Sequence, residues 1–300
     1  MGTSSRIREA SRLARRFTIT KGRKFRLSDV DPDDTGGIDS KEHAATLLAE
    51  GVARLQGLQE KLYAQGQWAV LLIFQAMDAA GKDSIIKHVI SSVNPQGCQV
   101  FSFKAPSSED LAHDFLWRTT RCLPERGRIG IFNRSYYEEA LVVRVHPELL
   151  AKQRLPAAVV SKRIWTERFD DINSFERHLQ RSGVAVCKFF LHVSKAQQKE
   201  RFLERLEKPE KNWKFSTSDV AERKLWDQYM HAYEDMIQHT ATPDAPWHVV
   251  PADHKWFTRL VVAATVVDAL SGLDLKFPTV DLAKRRELDT VRRALKRERA

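Results

Sequence analysis

The stretch Gln75-Ala-Met-Asp-Ala-Ala-Gly-Lys-Asp-Ser84 carries the residues with the clearest chemical purpose. It follows the apolar run Trp68–Gln75 and opens a segment with Ile85, Ile86, Val89 and Val93 at helical spacing. A buried strand, a loop and a helix start form the setting in which backbone N–H groups and a helix N-terminus converge on phosphate. In that reading Ala79, Ala80, Gly81, Lys82 and Asp83 bind phosphate, Gly81 admitting close backbone approach and Lys82 neutralising the transferred group. The match to G-x-x-x-x-G-K-[ST] is incomplete, because Ala76 stands at the first glycine and Asp83 at the hydroxyl residue. Asp78 and Asp83 would repel phosphate unless a hard cation bridges carboxylate and phosphate oxygens. Mg²⁺ is therefore the expected cofactor, with Mn²⁺ as the alternative. Asp83 alone would serve equally as an acid facing the dipole of a helix start.

A second constellation is Ile129-Gly-Ile-Phe-Asn-Arg-Ser-Tyr-Tyr-Glu-Glu139. Ligands of open α/β sheets bind beyond the carboxyl ends of the strands, which places Arg134 where it could stabilise charge on a transferring phosphoryl group. Glu138 and Glu139 are candidates for holding metal with Asp78 or for orienting an acceptor; as helical neighbours, at most one should point fully into the site. Lys104-Ala-Pro-Ser107 would follow an adjacent strand, so Lys104 could meet a nucleotide phosphate; Lys87, Pro106 and Asn133 are the other candidate nucleotide contacts. Further along, Arg201, Arg205, Lys214, Arg223 and Lys224 suggest a basic lid over about 205–224 that closes on phosphates and excludes water. Glu200, Glu204, Glu207 and Glu210 would fit a solvated, charge-balanced face as readily.

These residues need a scaffold. Trp68–Gln75, Gln99–Phe103, Arg128–Phe132, Val184–Val193 and Trp247–Val250 read as strands, the first a continuous apolar run suited to burial on both faces. Helical stretches lie between them: one with Leu111, Phe115 and Leu116, one over Pro156–Arg181, and the Gly-free interval Ser194–His239. Alternation of this kind predicts an α/β fold with a doubly wound, mostly parallel five-stranded sheet and a helical lid, a P-loop kinase fold. Before it, Asp39 and Glu42 have capping-box spacing for a helix running to Gly66. The expected organisation is a basic arm and connector (1–37), a kinase domain (38–275) and a basic tail (276–300). In the tail, Leu288, Val291 and Leu295 form an apolar stripe among cations including Arg299, as in a solvated helix packed on the body or on a neighbouring subunit.

Composition narrows the function classes. The 300 residues carry 49 Lys+Arg against 39 Asp+Glu, a net charge of +10, which favours a polyanionic partner. No apolar run reaches the roughly 18 residues of a membrane span, and no secretory leader is evident, so a cytoplasmic location without membrane association is expected. Cys98, Cys122 and Cys187 show neither disulfide nor zinc spacing. An ATP-dependent small-molecule kinase and a nucleic-acid-binding protein with a vestigial loop are the rival readings. No basic–aromatic module supports specific nucleic-acid recognition.

In their order and spacing, AMDAAGKD at Ala76–Asp83, VNPQGC at Val93–Cys98, FKAPS at Phe103–Ser107, FNRSYYEE at Phe132–Glu139, EKNWKFS ending at Ser216, ERKLWDQYMHAYEDM at Glu222–Met236 and PWHVVPADHKW at Pro246–Trp256 resemble the polyphosphate kinase 2 family. The resemblance covers about residues 25 to 270. It implies a thymidylate-kinase-like fold and Mg²⁺-dependent, reversible transfer between inorganic polyphosphate and nucleoside mono- or diphosphates, AMP/ADP to ADP/ATP, with guanine nucleotides as further candidates. It further implies metal or acceptor roles for Asp78 and one acid of the Glu138/Glu139 pair, and assembly as a homodimer or homotetramer. Asn133 and the AMDAAGKD loop are most similar to the subgroup that accepts both AMP and ADP.

Overall fold

A computed structural model describes residues 3–38, 40–90, 93–213 and 215–298. Asp39, Lys214 and Arg299 lie outside the described residues. Six strands form one sheet: β1 (Thr18–Ile19), β2 (Ala69–Gln75), β3 (Cys98–Ser102), β4 (Ile129–Asn133), β5 (Val184–His192) and β6 (Trp247–Pro251). Their order is β1-β6-β5-β2-β4-β3, parallel throughout except for β1, which runs antiparallel to β6. The expected five strands are thus six. The extra edge strand is two residues long, too short for an alternating pattern, and pairing with His248 and Trp247 alone defines it.

Every residue of β2 is buried, which is why its sequence reads as an unbroken apolar run. One face of the sheet is covered by the helices Lys41–Gln65 and Lys255–Ser271, the other by Ile164–Arg181 and Trp226–Thr240. The chain leaves β2 toward β3 and leaves β5 toward β6, so the crevice beyond the ends of these neighbours is where such a sheet binds ligands.

Several local expectations change. The first long helix is capped by Ser40, whose hydroxyl accepts from the His43 amide, one residue after the expected cap. The basic arm is instead a helix, Thr3–Arg15, built into the body. Ala10, Leu13, Ala14 and Phe17 are buried at helical spacing, Phe17 meets Phe257 edge-on at 5.7 Å, and Ser11 donates to Asp268 at 2.7 Å. Its arginines pair outward, Arg6 with Glu50 and Arg15 with Asp268. The helix expected around Leu111 is a 3-10 turn (Asp110–Ala112) and a single helical turn (Trp117–Thr120). The one expected from Pro156 begins at Ile164. The tail does form a helix, Leu282–Arg297, with no buried residue; Leu288, Val291 and Leu295 are 48%, 48% and 60% exposed, so its stripe does not pack on this chain. No described helix is long and apolar enough to cross a membrane.

Two buried histidines make stability sensitive to acid. Burial holds His192 down at about 4, and burial with the nearby Lys188 does the same to His248. Unfolded, each titrates near 6.5, so their stabilising effect is complete above that pH and is lost as pH falls toward 4. The loss should reach on the order of 3 kcal/mol for each residue. Melting temperature is therefore expected to drop steeply from pH 6.5 to 4, and His248→Gln to flatten that slope. An unchanged slope in the variant would show that the buried imidazole is not responsible.

Candidate active site

β2 runs straight into the loop Ala76–Gly81, and the helix Lys82–Ile90 starts where the loop ends. Gly81 has φ 107, a conformation that asks for glycine. Ala79 has φ 61, which costs an alanine about 1–2 kcal/mol and so needs support from its surroundings. The Lys82 ammonium folds back to donate to the Ala76 carbonyl at 2.8 Å. Burial, then the adjacent Arg134, lower its pKa to about 8 against the opposing pull of Asp78, Glu138 and Asp83.

Arg134, the first residue after β4, sits at φ 66 and donates its amide to the Phe74 carbonyl, which continues the β2–β4 ladder to the end of β2. Its guanidinium then bridges two acids, Nη2 to Asp78 Oδ1 at 3.0 Å and Nη1 to Glu138 Oε2 at 2.8 Å. Glu138 chiefly, with Asp78, holds the arginine firmly charged against burial. The following segment is anchored from below. Tyr136 and Tyr137 hydroxyls both donate to Glu176 Oε1, at 2.9 and 2.7 Å, and the fully buried Lys188 donates to the other oxygen of Glu176 at 2.6 Å. A buried ion pair with all its partners in place fixes the register of the turn that presents Glu138.

Glu138 and Glu139 diverge because Tyr136–Glu139 is a 3-10 turn, in which neighbours point roughly a third of a turn apart. Glu138 faces Asp78. Glu139 is 5% exposed and accepts from Arg168 Nε at 3.0 Å and Gln153 Nε2 at 2.7 Å, its pKa raised by burial against the pull of Arg168. Of the three expected metal ligands, Asp78 and Glu138 share one guanidinium, while Glu139 is engaged elsewhere. Among the described residues no cluster of three or more His, Cys, Asp or Glu could hold a metal. Two carboxylates are nevertheless enough for Mg²⁺, which completes its shell with phosphate oxygens and water, so the donor set fits.

A cavity of about 590 Å³ opens in front of this pair. Asp78, Arg134, Glu138 and Glu139 line its inner end; Phe103, Leu111, Phe115 and Val142 line its apolar walls, and Lys104, Pro106, Arg118 and Lys152 its rim. Two of the four expected nucleotide contacts, Lys104 and Pro106, line this cavity. Asn133 is not: its amide donates to Asp83 Oδ1 at 2.8 Å, tying the end of β4 to the start of the P-loop helix. Lys87 is exposed on that helix and does not line the cavity.

The basic lid also differs from expectation. Arg201 is 5% exposed, and its guanidinium donates to four backbone carbonyls: Ala79 at 3.0 Å, Ala80 at 2.9 Å, Ala252 at 2.6 Å and Asp253 at 2.9 Å. It supports the loop from beneath rather than facing its open side. Arg223 donates to the Lys195 carbonyl at 2.6 Å and to Gln198 Oε1 at 3.0 Å, joining the helices Lys195–Glu207 and Thr217–Lys224. Arg205 lies 3.7 Å from Asp219, whose pKa is raised by burial and by Asp78. Lys224 is exposed.

Sequence reasoning missed Gln198, which donates to the Asp78 carbonyl at 2.9 Å, Asp219, Tyr229 and Tyr233 at the cavity, and Arg168 and Gln153, the partners of Glu139. Gln198 was findable, since it shares a helical face with Arg201 and Arg205 at i, i+3, i+7.

A parallel doubly wound sheet, a phosphate loop after its central strand and an arginine–carboxylate bridge at the end of the next define a P-loop phosphotransferase. The family model described as polyphosphate kinase 2 matches residues 38–278. The chain is 51% identical over 286 residues to the ADP-polyphosphate phosphotransferase of Rhodopseudomonas palustris, covering 94% of this chain and 98% of that protein. To the AMP/ADP-polyphosphate phosphotransferase of Meiothermus ruber it is 42% identical over 270 residues, covering 90% and 97%. The crystal structure of polyphosphate kinase 2 from Arthrobacter aurescens TC1 superimposes with a TM-score of 0.83 at 42% identity, covering 93% of this chain and 96% of that one. The chain belongs to the polyphosphate kinase 2 family.

Proposed function

We propose that this protein transfers phosphoryl groups between inorganic polyphosphate and adenine nucleotides, with both AMP and ADP as acceptors and Mg²⁺ as cofactor. The observation that carries the reading is the Asp78–Arg134–Glu138 bridge, set between the P-loop and the apolar cavity. Loop amides and Lys82 hold the transferring phosphate of the polyanion. The nucleoside enters the cavity between Phe103, Leu111 and Phe115, and Lys104 and Arg118 offset the charge of its phosphates. Arg134 lies between the two and stabilises the equatorial oxygens of the transferring group. Asp78 and Glu138 are the residues to hold Mg²⁺, which when bound supplies further charge neutralisation at the phosphate oxygens. Walls that are mostly apolar accept a base by stacking. A nucleoside held in that way can sit at the two depths that AMP and ADP require, and a guanine base meets the same surface.

Incubation with polyphosphate, Mg²⁺ and AMP alone is expected to yield ADP first and ATP later, resolved by chromatography. ADP that accumulates without ATP would limit the enzyme to AMP, and no reaction until ADP is added would limit it to ADP. Turnover with ATP but none with polyphosphate as donor would defeat the proposal.

A further inference from the structure

The P-loop is shaped from below by two side chains of the helix Lys195–Glu207. Gln198 Nε2 donates to the Asp78 carbonyl at 2.9 Å, and Arg201 Nη1 to those of Ala79 and Ala80 at 3.0 and 2.9 Å. Three consecutive loop carbonyls are therefore drawn toward one helix. Across a trans peptide the C=O and the following N–H point in opposite directions, so the amides of Ala79, Ala80 and Gly81 are turned to the opposite side of the loop. The Ala80 amide also makes a 3.3 Å turn bond to the Met77 carbonyl, while those of Ala79 and Gly81 donate to no described protein group. Successive amides on one concave face, with φ positive at residues 79 and 81, form a backbone nest for an anion.

Both braces are themselves fixed. The second nitrogen of Arg201 donates to the carbonyls of Ala252 and Asp253 after β6, and Arg223 donates to Gln198 Oε1, which leaves the amide nitrogen of Gln198 facing Asp78. Neither Gln198 nor Arg201 lines the cavity at Arg134.

We infer that Gln198 and Arg201 are positioning residues of the phosphate site, which set its affinity for the polyphosphate chain by pinning the carbonyls of Asp78, Ala79 and Ala80 so that the loop amides face the anion. This rests on the phosphotransferase reading above, and the test separates the two. Wild type, Arg201→Met, Arg201→Lys and Gln198→Leu are titrated with tripolyphosphate and, separately, with AMP by calorimetry, well below the melting temperature of each.

Arg201→Met, which removes both guanidinium bonds to the loop carbonyls, is expected to weaken tripolyphosphate at least about tenfold, and Gln198→Leu severalfold. Arg201→Lys should recover part of the loss through a single ammonium donor. AMP, seated in the cavity away from these carbonyls, should bind all four proteins equally. Unchanged tripolyphosphate affinity in the folded variants would overturn the inference, and so would parallel weakening of AMP, which marks a general structural defect. Should Arg201→Met fail to fold, Gln198→Leu carries the same test, because it keeps the side-chain volume and removes only the bond to the Asp78 carbonyl and the one accepted from Arg223. A wild-type protein that does not bind tripolyphosphate would overturn both the phosphate-loop reading and this inference.

Discussion

Lys82→Ala is expected to lower kcat by on the order of 10³-fold while leaving the fold intact. The ammonium stands at the start of the P-loop helix, with Arg134 and Asp78 beside it. Among the described residues it donates to two carbonyls of its own loop, Ala76 at 2.8 Å and Met77 at 3.5 Å, so removing it breaks no long-range hydrogen bond there. A positive charge aimed where negative charge is redistributed typically contributes about 10²–10³ in rate, and more where water is excluded. Lys82→Arg should not substitute, because a planar fork cannot take the place of a compact ammonium against the loop. Steady-state kinetics at saturating polyphosphate and ADP, with melting curves for each variant, provide the check. Near-normal turnover in Lys82→Ala would remove the P-loop from the mechanism.

The acidic residues should differ sharply among themselves. Asp78→Asn and Glu138→Gln are each expected to reduce Mg²⁺-dependent turnover by about 10²-fold or more, and to raise the Mg²⁺ concentration needed for half-maximal rate. Either change also takes charge from one end of the Arg134 bridge, leaving the guanidinium to lean on the remaining acid. Glu139→Gln should act differently. Its carboxylate is committed to Arg168 and Gln153, so the loss falls on stability and on the cavity wall, with the Mg²⁺ dependence of the rate unchanged. Rates measured over a Mg²⁺ series for the three variants decide the matter. If Glu139→Gln shifts the Mg²⁺ dependence and Glu138→Gln does not, the metal-holding acid has been assigned to the wrong side of the turn.

Much of this site could be read without coordinates, because its signals are local. An unbroken apolar run, a loop with Gly-Lys and a helical pattern lie within about 20 residues, and each arises from burial or backbone geometry at that point. The places of Asp78, Lys82 and Arg134 at strand ends and the parallel strands were legible in that way, whereas the polyphosphate kinase 2 family was legible through the resemblance of motifs spread from Ala76 to Trp256. Glu138 and Glu139 do take different partners, as neighbours on a helical turn should, although both line the cavity.

Which of the two acids faces Asp78 was not legible. The answer depends on a 3-10 turn held by Glu176 and Lys188, respectively 38 and 50 residues beyond Glu138. The same holds for Arg201, where a basic helix face suits a lid in sequence, and only packing against the carbonyls 121 and 122 residues earlier shows it bracing the loop. The N-terminal helix hides its role for a related reason: four small or apolar residues among arginines bury a face only once Lys255–Ser271 lies against them. The sequence by itself determined the chemistry at the end of β2 and the strand order's parallel character, since periodicity and loop composition act over one or two turns of chain. Tertiary structure alone decided the partners of each charge, because a carboxylate or guanidinium takes whichever neighbour the fold brings within about 3 Å, and that neighbour comes from a different element.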